Sequence, residues 1–353
     1  MRRLILKIHL WLALVAGVFM VVLGVTGCII AFEPELDRLL HPHLSHVKQD
    51  SRIISLVEIG EAASTKYGGE PVVAYLPSSS PDFPTQVILS RGVVSVDQYT
   101  GEVLGIRTRG QTLLGFMRAL HVQLATGDMG RNILRWSNLA ILISLASGLY
   151  LWWPRKRVRI RGPRWSRLFW FDLHNSFGIL SLLPLLMLAA TGVVIGFEDG
   201  IASLLDKMSG RQPVQSPQIS TRMEPALSAR EITPDQAVAI ARTHLPGTVA
   251  YRVQMPRYGG LYVVALTYSD HRISAGANSI SIDPTDGKII AANLSTSLTP
   301  RERFMATNEA IHTGNILGMP TRIIAALASV LLPLQVSSGL WIWIRRTTIF
   351  RHS

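Results

Sequence analysis

The chain has 353 residues, of which 48% are hydrophobic and 16% charged, with a net charge of +12 and one cysteine. That apolar balance excludes two ordinary soluble domains as the whole account and points to membrane spans. A single cysteine, Cys28, excludes a disulfide framework and a CxxCH site for covalent haem attachment.

Residues 1–47 hold a first span and its exit. The stretch 10–32 carries no charge and is long enough to cross a hydrocarbon core of about 30 Å. Gly17, Gly24 and Gly27 would let a second helix come close. The tetrapeptide VTGC at 25–28 resembles a lipoprotein cleavage site. A matching ATGV at 190–193, deep inside the chain, argues for a retained helix instead. The exit contains HPHLSH, where His41, His43 and His46 make a candidate outer metal cluster or, more simply, a solvated loop.

Residues 48–110 read as a small α/β unit. The periodicity of 53–67 with Gly68 after it indicates a helix. PVVAYLP, TQVILS and VVSVDQYTGEVLGI then alternate as strands, with a turn at Tyr99, Thr100 and Gly101. Residues 111–168 supply an interfacial helix over 111–124, a glycine-containing turn, a second uncharged span at 136–153 and a basic link. The distance from His121 to Trp153 would be about 48 Å as one helix, too long for a single span.

Residues 169–208 bring a third span, uncharged over 173–197, and its exit. Residues 209–300 contain a linker at 209–222, then a helix with Thr233 as cap and Pro234 in its first turn. Four strands follow: TVAYRVQMP, GLYVVALTY, NSISID and KIIAAN. Tyr251, Arg252, Arg257, Tyr258 and Tyr262 are a candidate face for an anionic or aromatic ligand, or ordinary strand-surface residues. Residues 301–353 give a second interfacial helix, a fourth span, uncharged over 323–344, and a basic tail.

The chain states one plan twice. His9, Thr26, Gly27, Phe32 and Glu33 recur 165 positions on, as His174, Thr191, Gly192, Phe197 and Glu198. Asp97 and Gly101 recur at an offset of 186, as Asp283 and Gly287. His121, Arg131, Ser147, Gly148 and Trp152 recur at 191, as His312, Arg322, Ser338, Gly339 and Trp343. The expected fold is therefore an α-helical membrane protein with four transmembrane helices in two repeats, plus two small extracytoplasmic α/β units.

The charge excess has a location. Residues 33–135 and 198–322 are balanced, and the surplus lies at Arg2, Arg3 and Lys7, at Arg155 to Arg167, and at Arg345, Arg346 and Arg351. The positive-inside rule then puts both termini and the middle link in the cytoplasm and the two polar segments outside. Basic residues so placed are a topology signal, which excludes nucleic acid as the partner.

Four of the ten histidines stand at repeat-matched positions beside spans: His9, His121, His174 and His312. One alone would be an interfacial or capping residue, but ionisable groups at such positions are costly and usually functional. His9 and His174 begin outward-running spans; His121 and His312 precede inward-running ones. A two-fold relation between the halves brings each like pair together, the arrangement of two axial ligands on a haem iron. Two non-covalent b-type haems, one near each face, are the expectation. A zinc site is weaker, since each pair offers two ligands where zinc takes three or four. Arg131 and Arg322 are candidate partners for haem propionates or plain interfacial anchors. Glu33 and Glu198 are candidate helix-end contacts. Met20, Met117 and Met187 read as packing, and His244, His271 and His352 have no evident partner.

The segments IHLWLALVAG and TGCIIAFE, the surface ALHVQL, the exit SGLYLWWPRK and the hairpin VSVDQYTGEVLG resemble the PepSY-associated transmembrane family over nearly the whole chain. The resemblance implies an inner-membrane di-haem protein with periplasmic PepSY units, whose hairpins fall on Asp97–Val103 and Asp283–Ile289. It implies His9, His121, His174 and His312 as ligands, and reduction of a ferric siderophore to release Fe(II). Asn175 and Ser176 depart from Leu10 and Trp11 of the first copy, which makes that pocket more polar. No GxGxxG follows a strand and opens a helix, so the electron donor would be a quinol or a cytoplasmic reductase. Two other readings stay open. One is a haem-free protein whose PepSY units bind or inhibit a partner such as a peptidase; the other is a quinol-linked cytochrome serving another acceptor.

Overall fold

A computed structural model describes residues 1–78, 80–108, 112–154, 156–208, 231–256, 260–268 and 278–349. The linker 209–222, Arg155, Arg257, Tyr258, His271, Arg351 and His352 lie outside the described residues. The chain divides into two compact units. One comprises Met1–Glu33, Leu113–Leu204 and Thr307–Ser353; the other comprises Pro34–Thr112 and Leu205–Ala306.

The first unit is helical. Its four long apolar helices are α1 (Arg2–Ile30), α5 (Asp128–Trp152), α6 (Arg167–Gly196) and α10 (Met319–Ile349). All four are long and apolar enough to cross a membrane. Two shorter helices precede α5 and α10: α4 (Leu113–Gln123), and α9 (Pro300–His312), of which the part from Thr307 belongs to this unit. Helix α1 packs against α5 and α10, and so does α6, which sets α1 and α6 on one diagonal of a four-helix bundle. Close approach rests on glycine: a Cβ on Gly24 would stand 2.6 Å from the Ser329 carbonyl oxygen of α10. The turns before α5 and α10 share a backbone. Gly127 has φ 68 and ψ −135, and Gly318 has φ 71 and ψ −141, a region that disfavours any side chain. Helix α1 runs unbroken through Cys28. Around the basic helix ends, Lys156 lies over Trp153 and Arg345 over Trp341.

The second unit is a sheet with helices. Helix α2 (Glu33–Leu40) leads to α3 (Leu56–Lys66) and to strands β1 (Ala74–Leu76), β2 (Thr85–Ile88), β3 (Gly92–Val96) and β4 (Val103–Thr108). After α7 (Glu198–Met208) come α8 (Pro234–His244) and strands β5 (Thr248–Gln254), β6 (Tyr262–Tyr268), β7 (Asn278–Ile282) and β8 (Ile289–Asn293). Two small α/β units were the expectation from sequence, and their strands join in one eight-stranded sheet in the order β4-β3-β2-β1-β5-β6-β7-β8. The join is antiparallel, with Ala74 opposite Gln254 and Tyr75 opposite Val253. The physical reason is edge pairing: β1 and β5 would otherwise each leave a row of unpaired backbone groups.

Both helices start on a capping box, Ser55 with Glu58 and Thr233 with Gln236. A carboxylate from α8 adds to the first: Asp235 accepts from Leu56 N at 2.8 Å and Val57 N at 3.4 Å. The core between helices and sheet is apolar, built on Ile59, Ala63, Val87, Val94, Ala237, Val253, Val264 and Ile280. Tyr262 belongs to it. Only 3% exposed, it donates its hydroxyl to Ile232 O, and burial pushes its pKa up to about 12. It is therefore a core residue and not part of a ligand face.

The two hairpin turns match in detail. Gly101 N donates to Asp97 O at 2.9 Å, and Gly287 N to Asp283 O at 3.0 Å. Each aspartate side chain accepts from the backbone two residues on, Asp97 from Tyr99 N and Asp283 from Thr285 N, both at 2.8 Å. Thr285 adds its hydroxyl at 2.6 Å, which together hold the Asp283 carboxyl below the usual range.

Candidate functional site: two histidine pairs in the helical bundle

Histidines of like number in the two halves meet. The rings of His9 and His174 lie 6.4 Å apart, centre to centre, and those of His121 and His312 lie 6.3 Å apart. Along α1, His9 and Thr26 are separated by about 25 Å at the usual helical rise. Thr26 touches His121, so the two pairs sit toward opposite ends of the bundle.

Each ring rests on a neighbouring helix through a hydroxyl residue followed by glycine. His9 Nδ1 meets Ser147 Oγ at 2.9 Å, and His174 Nδ1 meets Ser338 Oγ at 2.9 Å. His121 Nδ1 meets Thr26 Oγ1, and His312 Nδ1 meets Thr191 Oγ1, both at 3.0 Å. The next residue in each case is the glycine that makes room. A Cβ on Gly148 would stand 3.3 Å from His9 Cε1, and one on Gly339 would stand 3.4 Å from His174 Cε1. On Gly27 it would stand 3.1 Å from His121 Cε1, and on Gly192 3.3 Å from His312 Cε1.

The hydroxyls decide which ring nitrogen carries the proton. Thr26 donates to Val22 O at 2.6 Å, Ser147 to Ser144 O at 2.8 Å, Thr191 to Met187 O at 2.7 Å and Ser338 to Gln335 O at 3.1 Å. With its proton engaged, each oxygen has only lone pairs to offer, so it accepts from an Nδ1–H. Backbone carbonyls reinforce these bonds, Ser144 O at His9 and Leu188 O at His312, with those of Leu23 at His121 and Gln335 at His174. At His174, the Gln335 amide nitrogen also lies 3.2 Å from Nδ1 in the orientation that satisfies its own bonds. There the Nδ1–H form depends on Ser338 outweighing Gln335. Among the described residues no hydrogen bond reaches any of the four Nε2 atoms.

This is the donor set of a metal-ligating imidazole: Nδ1–H tied to an outer partner and Nε2 left with its lone pair. Burial lowers the His121 pKa to about 4, with His312 and Arg118 pushing the same way, and burial lowers that of His312 too. A lowered pKa favours the neutral form of these two rings, the form that ligation requires. Spacing gives a second test. A metal–imidazole bond of about 2.0 Å on each side, plus roughly 1.1 Å from nitrogen to ring centre, puts two axial rings about 6.3 Å apart. The residues present fit an axially ligated iron at both pairs. A mononuclear zinc site lacks ligands, for no three His, Cys, Asp or Glu converge among the described residues.

The other candidates stand elsewhere. Arg131 is exposed, ion-paired with Asp128 and bonded to Gln123 Oε1. Arg322 donates to Ala31 O from Nε at 3.0 Å and lies over the Phe32 ring. Glu33 accepts from Arg118 Nε at 2.9 Å, a helix-end contact, and Glu198 is exposed. His41, His43 and His46 belong to a docked loop. His41 Nδ1 meets Asp37 at 3.0 Å and His46 Nδ1 meets Pro42 O at 3.2 Å. Arg107 then ties Asp37, Ser45 and Leu44 O to β4. The hydroxyl–glycine dipeptides Thr26–Gly27, Ser147–Gly148, Thr191–Gly192 and Ser338–Gly339 were visible in the sequence as matched residues, but their attachment to the histidines was not. Four such dipeptides against four histidines was the signal.

Four apolar helices, with one histidine pair on α1 and α6 and the other on the short helices α4 and α9, joined in one chain to an antiparallel sheet, define a polytopic membrane protein. The chain belongs to the PepSY-associated transmembrane family, whose model, the PepSY-associated TM region, matches residues 6–346. Comparison with curated proteins yields no match.

Proposed function

We propose that this protein is a membrane cytochrome holding two b-type haems, one between His9 and His174 and one between His121 and His312. The observation that carries the reading is the shared seating of the four imidazoles, each with Nδ1 on a hydroxyl and its ring centre 6.4 Å or 6.3 Å from that of its partner. Bound haem would supply one-electron chemistry. The chain's own residues hold the rings in their tautomer, set the spacing and exclude water. The halves form two repeats related by a two-fold axis along the bundle, and the paired hairpins Asp97–Val103 and Asp283–Ile289 are PepSY-like.

The setting is the bacterial inner membrane. The basic residues Arg2, Arg3 and Lys7 and the basic link support, by the positive-inside rule, cytoplasmic termini and a periplasmic sheet. Electrons enter at the His9 and His174 end from a quinol or a cytoplasmic reductase. They leave at the His121 and His312 end to an acceptor outside. Resemblance to the ferric-siderophore reductases of this family supports a ferric siderophore as that acceptor, with Fe(II) released because the chelate holds it weakly.

The test uses the full chain in proteoliposomes, with a trapped reductant inside and a ferric hydroxamate plus an Fe(II) chromophore outside. Chromophore formation that disappears in His121→Ala is the expected result. Oxidation of the reductant by an external quinone but not by the ferric chelate would instead favour a cytochrome with another acceptor. No electron transfer to either would leave the haem-free partner-binding reading.

A further inference from the structure

On α5, one turn apart and facing α6, two polar side chains have no hydrogen-bond partner among the described residues. Arg135 makes no hydrogen bond or ion pair among the described residues; its guanidinium lies over Phe197 at 5.2 Å, and its Nε is buried without an acceptor. Asn138 has no hydrogen-bond partner there either. Both sit against the glycine face of α6. A Cβ on Gly196 would stand 3.4 Å from Arg135 Cα, and one on Gly192 would stand 3.3 Å from Asn138 Nδ2. That same point on Gly192 is 3.3 Å from His312 Cε1. The unpartnered amide is therefore beside the His121 and His312 pair, with the unpartnered cation one turn nearer the start of α5.

A charge half-withdrawn from solvent and left without a counter-ion is costly. Its neighbours sharpen the contrast, since Arg118, Arg131 and Arg322 all have oxygen partners. The terminal nitrogens of Arg135 remain open while Nε is closed, so the fork can still take a planar two-oxygen anion. We infer that Arg135 and Asn138 together receive the carboxylate arm of the group seated between His121 and His312, a haem propionate. This rests on the haem reading above. It moves the propionate contact away from Arg131 and Arg322, whose donors have protein partners. Lipid phosphate is the other source of a two-oxygen anion at this depth. It is disfavoured because Asn138 faces Gly192 and the histidine pair and not the outside of the bundle.

The experiment compares the wild type with Arg135→Gln, Arg135→Lys and Asn138→Leu as full chains in lipid-free detergent. Haem content, a redox titration and the rate of haem transfer to a scavenger protein are recorded. Arg135→Gln should lower the midpoint potential of one haem, because a cation beside it favours the reduced form, and should speed its loss about ten-fold or more. The second haem should not change, which controls for misfolding. Arg135→Lys should restore part of the potential, and Asn138→Leu should affect the same haem to a smaller degree. Two unaltered potentials and loss rates in Arg135→Gln would overturn the inference while leaving the haem reading intact. A wild type without haem would overturn both. A wild type that keeps two haems, with an Arg135→Gln defect seen only in vesicles of anionic lipid, would assign the arginine to lipid phosphate instead.

Discussion

Replacing Thr26 with valine removes one oxygen and almost no volume. In the structure that oxygen accepts from His121 Nδ1 at 3.0 Å while donating to Val22 O. Valine takes that acceptor away and leaves the buried imidazole N–H only the Leu23 carbonyl, a cost toward the low end of about 1–3 kcal/mol. The ring can recover by moving its proton to Nε2 or by turning, and either change disturbs the lone pair that a metal shared with His312 would need. Loss of an outer partner of this kind lowers metal affinity by roughly ten- to a hundred-fold. The assay is the rate at which haem passes from the purified full chain to a scavenger protein, followed in the Soret band. Thr26→Val should shed one haem of two at least ten times faster, and Thr26→Ser should behave as the wild type. A valine variant that keeps both haems at the wild-type rate would refute the argument that the hydroxyl sets the tautomer.

Other outcomes follow from the same geometry. Gly24→Val should loosen the bundle, since even a Cβ there meets Ser329 O at 2.6 Å and Pro333 Cδ at 2.9 Å. A fall in thermal midpoint by several degrees, from a cost of about 1–3 kcal/mol, would be seen in detergent. Asp235→Ala should cost about 1 kcal/mol by uncapping α3, and amide exchange at Leu56 and Val57 should quicken; unchanged exchange would discount the cap. Asp283 gives a pH dependence. Its carboxyl is held below the ordinary 3.8 by Thr285, so its contribution is present above that value and lost as pH falls through the lower, folded one. Thr285→Val, which keeps the backbone N–H but not the hydroxyl, should reduce that acid-limb contribution, and a urea series from pH 6 down to about 3 would detect it.

Much of the bundle was legible because its signal is chemical and continuous. Charge-free runs mark spans, and recurrence at fixed offsets pairs His9 with His174 and His121 with His312. Helix capping was legible too, since Ser55 with Glu58 and Thr233 with Gln236 are local patterns. The join of β1 to β5 was not. Three residues of β1 and seven of β5 look the same whether an edge is free or paired, and strand partners far apart in sequence leave no local trace. The seating of the histidines lay between these cases. Thr26 and Ser147 are ordinary small polar residues in a span, and only contact across helices shows that each accepts from an imidazole. Tyr262 failed for a related reason: a tyrosine in an alternating strand reads equally as surface or core until the sheet is assembled.

The account stands on two imidazoles sharing one iron at each end of the bundle. The most direct measurement is a haem count on the purified full chain, combined with low-temperature EPR of the oxidised state. Two low-spin, bis-histidine haems per chain are expected, falling to one in His9→Ala or His174→Ala and to the other one in His121→Ala or His312→Ala. A protein that folds and purifies with no haem, or keeps both in these four variants, would contradict it.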